Sequence, residues 1–169
     1  YMNERPSEAK IFEVEHPDVM LWAIWTSQQY AKMVSEKQCG EKYGALMEQI
    51  MDFIIGGRHE NLFPHQNGLL YTCGTNKAVT WMNSTSVSGK PVVPRTGYVV
   101  EVNALWYNAL KFVARMMVEN GREPAAAPLE KLSEKVKTSF VETFLNEYGY
   151  LYDYVDGYMM DWSVRPNMI

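Results

Sequence analysis

The sequence has few of the features that mark metalloproteins and disulfide-rich proteins. Its 169 residues include only two cysteines, Cys39 and Cys73, and neither belongs to a CxxC pair. The three histidines, His16, His59 and His65, do not have metal-ligand spacing, and there is no HExxH motif. We therefore expect two free thiols in a reducing compartment and no bound metal.

Concentrated positive charge and long apolar runs are also missing. The net charge is −4 and no cluster of Lys or Arg stands out, which argues against a nucleic acid or an anionic membrane surface as a partner. No apolar run approaches the roughly 20 residues of a membrane span. The first ten residues, YMNERPSEAK, are polar and include no signal-peptide segment. These absences predict a cytoplasmic protein.

Motifs for phosphate or dinucleotide binding are absent as well. We find no phosphate-binding glycine loop, no dinucleotide fingerprint and no nucleophile elbow. The sequence therefore predicts no cofactor. What it does contain is aromatic residues, at 13% of the chain, with 5 Trp and 11 Tyr. Such residues form either a large core or a cleft that stacks on sugar-like ligands.

Helical periodicity accounts for about half of the chain. Apolar residues at helical spacing predict four helices, at about 18–37, 41–55, 100–120 and 126–147, with a break at 38–40. Segments 58–98 and 150–169 are irregular and aromatic, which indicates ordered loops with a function. Because a helical pair separates them, both loops could emerge at one end of the array. The fold class predicted is all-α, with any strand limited to a small hairpin in 58–98.

The polar residues in loops and at helix starts resemble those of a carbohydrate site. Glycoside hydrolysis needs two carboxyl groups that flank the scissile bond. The candidate carboxylates are Asp18, Glu101, Asp153, Asp156 and Asp161. Each could equally be a helix cap or a solvated charge, since Asp18 and Glu101 fall in first helical turns, where the helix dipole stabilises a carboxylate. Arg95 and Arg165, each beside a proline, could equally hold loop carbonyls.

Three stretches resemble, in order and spacing, motifs of the bacterial glycogen debranching proteins. They are DVMLWAIWTSQQY at 18–30, TWMNSTSVSGKPVVPRTGYVVEVNALWYNAL at 80–110 and GYLYDYVDGYMMDWSVRPNMI at 149–169. The resemblance implies an amylo-α-1,6-glucosidase domain, an inverting hydrolase that acts on α-1,6 branch points of glycogen or related α-glucans. That family folds as an (α/α) toroid of six α-hairpins with long active-site loops.

The resemblance also implies that residues 1–169 are a partial domain within a longer chain. The second catalytic carboxylate would then lie beyond residue 169, and these residues alone would be inactive. The partner implied is an α-glucan oligosaccharide. Apolar hairpin faces left exposed in an incomplete toroid would favour self-association.

One position departs from the family motif. The residue after Trp-Met, where the family has the general acid, is Asn83, and an amide has no proton to donate at neutral pH. Two explanations remain: Glu101 supplies the acid, or the protein is a non-catalytic or weakly active α-glucan-binding relative. A purely helical interaction domain with an aromatic core is a third, weaker alternative.

The same resemblance assigns substrate contacts by position. They are Asp18, Trp22, Trp81, Arg95, Trp106, Asn108, Asp153, Asp156 and Arg165. If these assignments hold, we expect a solvent-accessible cleft lined by Asp18, Trp81 and Glu101.

Overall fold

The computed structural model describes residue 12, residues 15–82 and residues 84–168. Within these residues the chain forms four α-helices, which are α1 (Asp18–Met33), α2 (Glu36–Ile55), α3 (Val100–Glu119) and α4 (Glu123–Phe144). It also forms five strands, which are β1 (Leu62–Pro64), β2 (Leu70–Thr72), β3 (Gly97–Val99), β4 (Tyr154–Asp156) and β5 (Met159–Met160). A short 3₁₀ turn follows at Pro166–Met168.

Helix α3 lies at the centre of the core. It packs against α1, α2 and α4, and it also contacts β2 and β3. Its buried side chains, among them Val102, Leu110 and Val113, recur at helical spacing and cover more than one face. A helix with neighbours on several sides needs apolar residues on several sides, and α3 has them.

The break between the first two helices lies earlier than predicted. Helix α1 ends at Met33 and α2 begins at Glu36, where the Ser35 hydroxyl accepts a hydrogen bond from the Gln38 backbone N–H at 3.1 Å. A serine N-cap therefore sets the start of α2. Gly40, which the prediction placed in the break, lies inside α2, and a Cβ there would collide with the Asn120 side chain. This glycine permits close packing of α2 on the end of α3.

The predicted all-α class is wrong, because the described residues contain a five-stranded antiparallel sheet with the strands in chain order. A fragment of a purely helical six-hairpin toroid does not describe this fold. Strands of two or three residues are too short to show an alternating pattern. The pairing of β3 with β4 also joins residues far apart in the chain, Tyr98 with Val155 and Val99 with Tyr154. No local signal could have revealed it.

The sheet joins the two segments that were predicted to be loops. Strands β1 to β3 come from 58–99 and strands β4 and β5 come from the last twenty residues, so the two segments do meet. Gly97 is required at this junction: its φ is +118° and a Cβ would collide with the Val155 carbonyl. Strand β3 then passes directly into α3, so the start of α3 lies at the sheet.

A buried amide fixes the sheet to α3. The Asn103 side chain is fully buried, and its Oδ1 accepts the Leu70 backbone N–H at 2.7 Å. Its Nδ2 donates to the Leu70 carbonyl and to the Val99 carbonyl, both at 3.0 Å. One side chain therefore satisfies backbone groups of both β2 and β3 in the core, where an unpaired polar group is costly.

We predict that Asn103→Ala lowers the free energy of unfolding by about 2–4 kcal/mol, because the buried Leu70 N–H and the two carbonyls lose their partner. Urea unfolding followed by tryptophan fluorescence measures the change. The matched control is Asn108→Ala on the same helix, which removes one half-buried bond to Gln28 and should cost less. Equal losses for the two variants would contradict the role assigned to Asn103.

Candidate functional site

A buried arginine lies where β3, α3 and β4 come together. The Arg95 guanidinium is almost completely buried and forms two parallel hydrogen bonds with the Glu101 carboxylate, one from each terminal nitrogen. Its Nη2 also donates to Asp153 Oδ1 at 2.9 Å. Glu101 is in the first turn of α3 and Asp153 immediately precedes β4. The planar guanidinium therefore joins two carboxylates from distant parts of the sequence.

A second arginine and an amide complete this group. Arg165 Nε donates to Asp153 Oδ2 at 2.8 Å. Asn167 Nδ2 donates to Glu101 Oε2 at 2.8 Å and to Asp153 Oδ1 at 2.9 Å. We call these five residues the Arg95 cluster. Two cations face two anions, and every carboxylate oxygen in the cluster accepts at least one hydrogen bond, which offsets the cost of burying the charges.

Asp18 connects the start of α1 to the loop that follows β2. Its side chain is only 2% exposed, and its Oδ2 accepts the Trp81 backbone N–H at 2.7 Å. Beside it, His16 Nδ1 lies 3.3 Å from the Thr80 carbonyl. The first turn of α1 thus fixes the backbone on which the Trp81 side chain is carried.

Burial raises the pKa of Asp18 above its ordinary value, because the charged carboxylate is removed from water. The negative charge of Glu101 contributes a smaller rise. Three neighbours lower the pKa of Asp18 without cancelling this rise: the Trp81 backbone N–H, His16 and the Trp22 indole. Asp18 therefore holds its proton to a higher pH than a solvated aspartate does.

Trp81 also forms part of the wall of an open cavity of about 340 Å³. The cavity is lined by Trp81, Met82, Ser84, Val92, Val93 and Pro166. The Trp81 side chain is 47% exposed, whereas Asp18 at 2% and Glu101 at 6% are nearly inaccessible. The cavity therefore has Trp81 in its wall, but Asp18 and Glu101, which were expected to line the same cleft, are not among its lining residues.

The cavity wall is linked to the Arg95 cluster. Arg95 Nη1 lies 3.4 Å from Thr80 Oγ1 and 3.2 Å from Met82 Sδ, on either side of Trp81 in the chain. Pro166, another lining residue, lies in the chain between the two cluster residues Arg165 and Asn167. Both walls thus come from loops that the buried cluster holds.

Two residues predicted to contact substrate lie along α3, away from this cavity lining. Trp106 is buried in the core, and its indole N–H donates to the Gly68 carbonyl at 3.1 Å. Asn108 donates to Gln28 Oε1 of α1 at 3.0 Å. In this structure both residues connect α3 to neighbouring elements.

Two further predicted residues are placed differently. Trp22 is partly buried near Asp18 and packs edge-on against Trp25, with ring centroids 5.7 Å apart. Asp156 lies in β4 and accepts the Tyr71 hydroxyl at 2.9 Å. Burial and this hydrogen bond raise the pKa of Tyr71 to about 12. The structure therefore pairs Asp156 with a strand of the sheet and does not join it to the Arg95 cluster.

The structure brings together five of the predicted residues and adds one that the sequence prediction missed. Arg95, Glu101, Asp153 and Arg165 form the ion network, and Asp18 lies close enough to feel the charge of Glu101. The missed residue is Asn167. Asn83, predicted to occupy the general-acid position, lies outside the described residues.

The described residues contain no group of three or more His, Cys, Asp or Glu side chains arranged to hold a metal ion. None of the helices that the structure describes is long and apolar enough to cross a membrane.

We predict a pH-dependent stability difference between Asp18→Asn and the wild type. The pKa of Asp18 is raised from 3.8 on folding, so between 3.8 and the folded value the native chain binds the proton more tightly than the unfolded chain. The proton on Asp18 therefore stabilises the fold at pH values below 3.8, and this stabilisation is lost as the pH rises from 3.8 through the folded pKa. Asparagine does not titrate, so the unfolding free energy of the variant minus that of the wild type should increase upward from pH 3.8. Urea unfolding across a pH series tests this, and a difference that stays flat or falls would contradict it.

We predict that Arg95→Met destabilises the protein by about 3–5 kcal/mol, because Glu101 and Asp153 would keep their buried charges without their main partner. The unfolding midpoint in urea measures the loss. The control is Arg115→Ala, which breaks a surface ion pair with Glu36 and should cost no more than about 1 kcal/mol. A loss for Arg95→Met as small as that of the control would show that the cluster does not stabilise the fold.

Comparison with known proteins agrees with the sequence motifs. A family model described as amylo-alpha-1,6-glucosidase matches residues 6–169, a range that includes all three motifs and every residue of the Arg95 cluster. Neither the curated proteins nor the solved structures gave a match. The family match extends over nearly the whole chain, and on this evidence the protein belongs to the amylo-α-1,6-glucosidase family.

Proposed function

We propose that this chain forms part of a site that hydrolyses α-1,6-glucosidic bonds at branch points of glycogen or a related α-glucan, with inversion. The observation that carries the proposal is the half-exposed Trp81 in the cavity wall, with its backbone held by a buried carboxylate. An indole face provides a rigid apolar surface against which the C–H groups of a glucose ring can pack. The family match supports the choice of substrate.

Within this proposal the Arg95 cluster supports the site and does not perform the chemistry. Both oxygens of Glu101 are engaged, Oε1 by Arg95 and Oε2 by Arg95 and Asn167. A general acid or base must present an oxygen to the substrate or to a water. We therefore assign Glu101 a positioning role, and we assign Asp18 the role of orienting the Trp81 wall.

The acid and the base would then be other carboxyl groups. In an inverting glycosidase they lie about 6.5–9.5 Å apart on opposite faces of the scissile bond. The expectation that residues 1–169 are part of a longer domain that supplies a second carboxylate stays a prediction.

Two observations favour a second candidate, a non-catalytic α-glucan-binding relative. Asn83 occupies the position where the family motif has the acid, and Glu101, the other candidate acid, already accepts hydrogen bonds on both carboxylate oxygens. Such a protein would keep the Trp81 cavity as a sugar-binding surface without turnover.

A cytoplasmic location in a bacterial cell and self-association also remain proposals. Self-association is supported by exposed apolar side chains on the helices, such as Met33 and Val141.

We predict that the full-length wild-type protein releases glucose from a phosphorylase limit dextrin and that the first product seen by proton NMR is the β-anomer, since inversion converts an α-linkage to β-glucose. If an acid other than residue 83 operates, Asn83→Asp should change the rate by less than tenfold, against the roughly 10²–10⁴-fold that a general acid contributes.

The matched control for the added charge is Asn61→Asp, outside the cavity lining. Glucose release by the wild type would exclude the binding-only candidate. No release by the wild type, together with release by Asn83→Asp alone, would establish that candidate instead. α-Glucose as the first product would contradict inversion.

A further inference from the structure

Four aromatic side chains from two separate segments meet near the C-terminal end of the described chain. The Trp162 ring packs edge-on against Tyr152, with centroids 4.8 Å apart, and against Tyr148 and Tyr150 at 6.0 Å and 6.3 Å. Tyr148 and Tyr150 lie nearly parallel, with an interplanar angle of 19° and centroids 6.4 Å apart. We call Tyr148, Tyr150 and Trp162 the aromatic platform.

The platform is on the surface. Tyr148 is 72% exposed and Trp162 is 45% exposed, and Tyr150 is also exposed. Aromatic side chains contribute most of their free energy when their faces are covered, so a group of three exposed rings in mutual contact suggests a surface that meets a ligand.

The loop that carries the two tyrosines is fixed by a buried asparagine. Asn146 Oδ1 accepts the backbone N–H groups of Tyr148 at 3.0 Å and Tyr150 at 3.2 Å. The Asn146 backbone N–H donates to the Tyr150 carbonyl at 2.9 Å, and Gly149 supplies the positive φ of +82° that closes the turn. The backbone that carries the two tyrosines is therefore held in place before any ligand arrives, which lowers the entropic cost of binding.

One short segment of the chain connects the platform to the cavity lining. Trp162 belongs to the platform and Pro166, four residues later, lines the cavity, so their Cα atoms lie at most about 14 Å apart. Between them, Arg165 is bonded to Asp153 of the Arg95 cluster. A ligand with one end in the cavity can therefore reach the platform if it is a few sugar units long.

The charges around the platform favour a neutral ligand. Asp161 immediately precedes Trp162, and Glu147 immediately precedes Tyr148. Arg165, the nearby cation in this segment, already faces Asp153 and Asp161. Anionic ligands would meet carboxylates here, whereas a glucan offers apolar ring faces to aromatic rings and hydroxyl groups to their polar edges.

We propose that the aromatic platform binds the outer α-glucan chain of the substrate while the branch-point glucose occupies the Trp81 cavity. This inference rests on the proposed function. It predicts that the bound substrate is long enough to extend from the cavity to Tyr148, Tyr150 and Trp162, which do not belong to the cavity lining.

The test is native affinity electrophoresis of the full-length protein in gels that contain increasing glycogen, which requires no turnover. We expect Tyr148→Ala and Trp162→Ala to weaken the apparent affinity for glycogen by roughly tenfold each, because each removes one aromatic face from the platform. The matched control is Tyr158→Ala on the β4–β5 turn, a fully exposed tyrosine that should bind glycogen like the wild type. Because Tyr148 is mostly exposed, its removal should leave the thermal midpoint unchanged, so that a loss of binding is not a loss of folding.

The outcomes separate this proposal from the one on which it rests. If Tyr148→Ala and Trp162→Ala bind glycogen like the wild type while the wild type releases glucose, the platform proposal is overturned and the proposed function stands. If the wild type neither binds glycogen nor releases glucose, the proposed function fails and the platform proposal fails with it. If the two variants change the mass in solution and not the affinity for glycogen, the surface is a contact between copies of the chain, and the proposal is again overturned.

Discussion

The hydrogen-bonded pairing of the Arg95 guanidinium with two buried carboxylates is the interaction on which the rest of the site depends. Burying a cation with Glu101 and Asp153 is costly, and the hydrogen bonds from both terminal nitrogens of Arg95 to the two carboxylates offset that cost. The partners come from the start of α3 and the start of β4, which are far apart in the chain. The hydrogen bonds from Arg95 to these two carboxylates therefore fix the relative positions of a helix, a strand and two loops.

The Arg95 cluster also supports the loops that line the candidate site. Loops are normally the mobile parts of a domain, yet both walls of the cavity adjoin residues that the Arg95 cluster holds. Trp81 lies between two contacts of Arg95, and Pro166 lies between Arg165 and Asn167. This arrangement supports an exposed indole and a proline that line the same cavity although neither lies in an α-helix or a strand. A carbohydrate site, which needs preorganised apolar faces, benefits from such support.

The structure also shows the surroundings in which the carboxyl groups of Glu101 and Asp18 lie. Residue type and position alone made Glu101 a candidate for proton transfer. In the structure, Glu101 Oε1 accepts a hydrogen bond from Arg95, and Oε2 accepts hydrogen bonds from Arg95 and Asn167. Asp18, by contrast, is a buried carboxylate with a raised pKa that fixes the backbone of Trp81. In both cases the neighbours, which the sequence does not reveal, decide what the group can do.

The four helices could be predicted from the sequence alone, because their 3.6-residue periodicity is a local signal, and three sequence motifs indicated the family. The resemblance to the family named Asp18, Arg95, Glu101, Asp153 and Arg165 among its candidate site residues, but it did not set these five apart from the others. The five-stranded sheet could not be predicted in this way, because strands of two or three residues have no readable period and β3 pairs with the distant strand β4. Likewise only packing placed Trp106 in the core and brought Asn167 to Glu101, since burial and hydrogen bonding between distant residues depend on the folded chain as a whole.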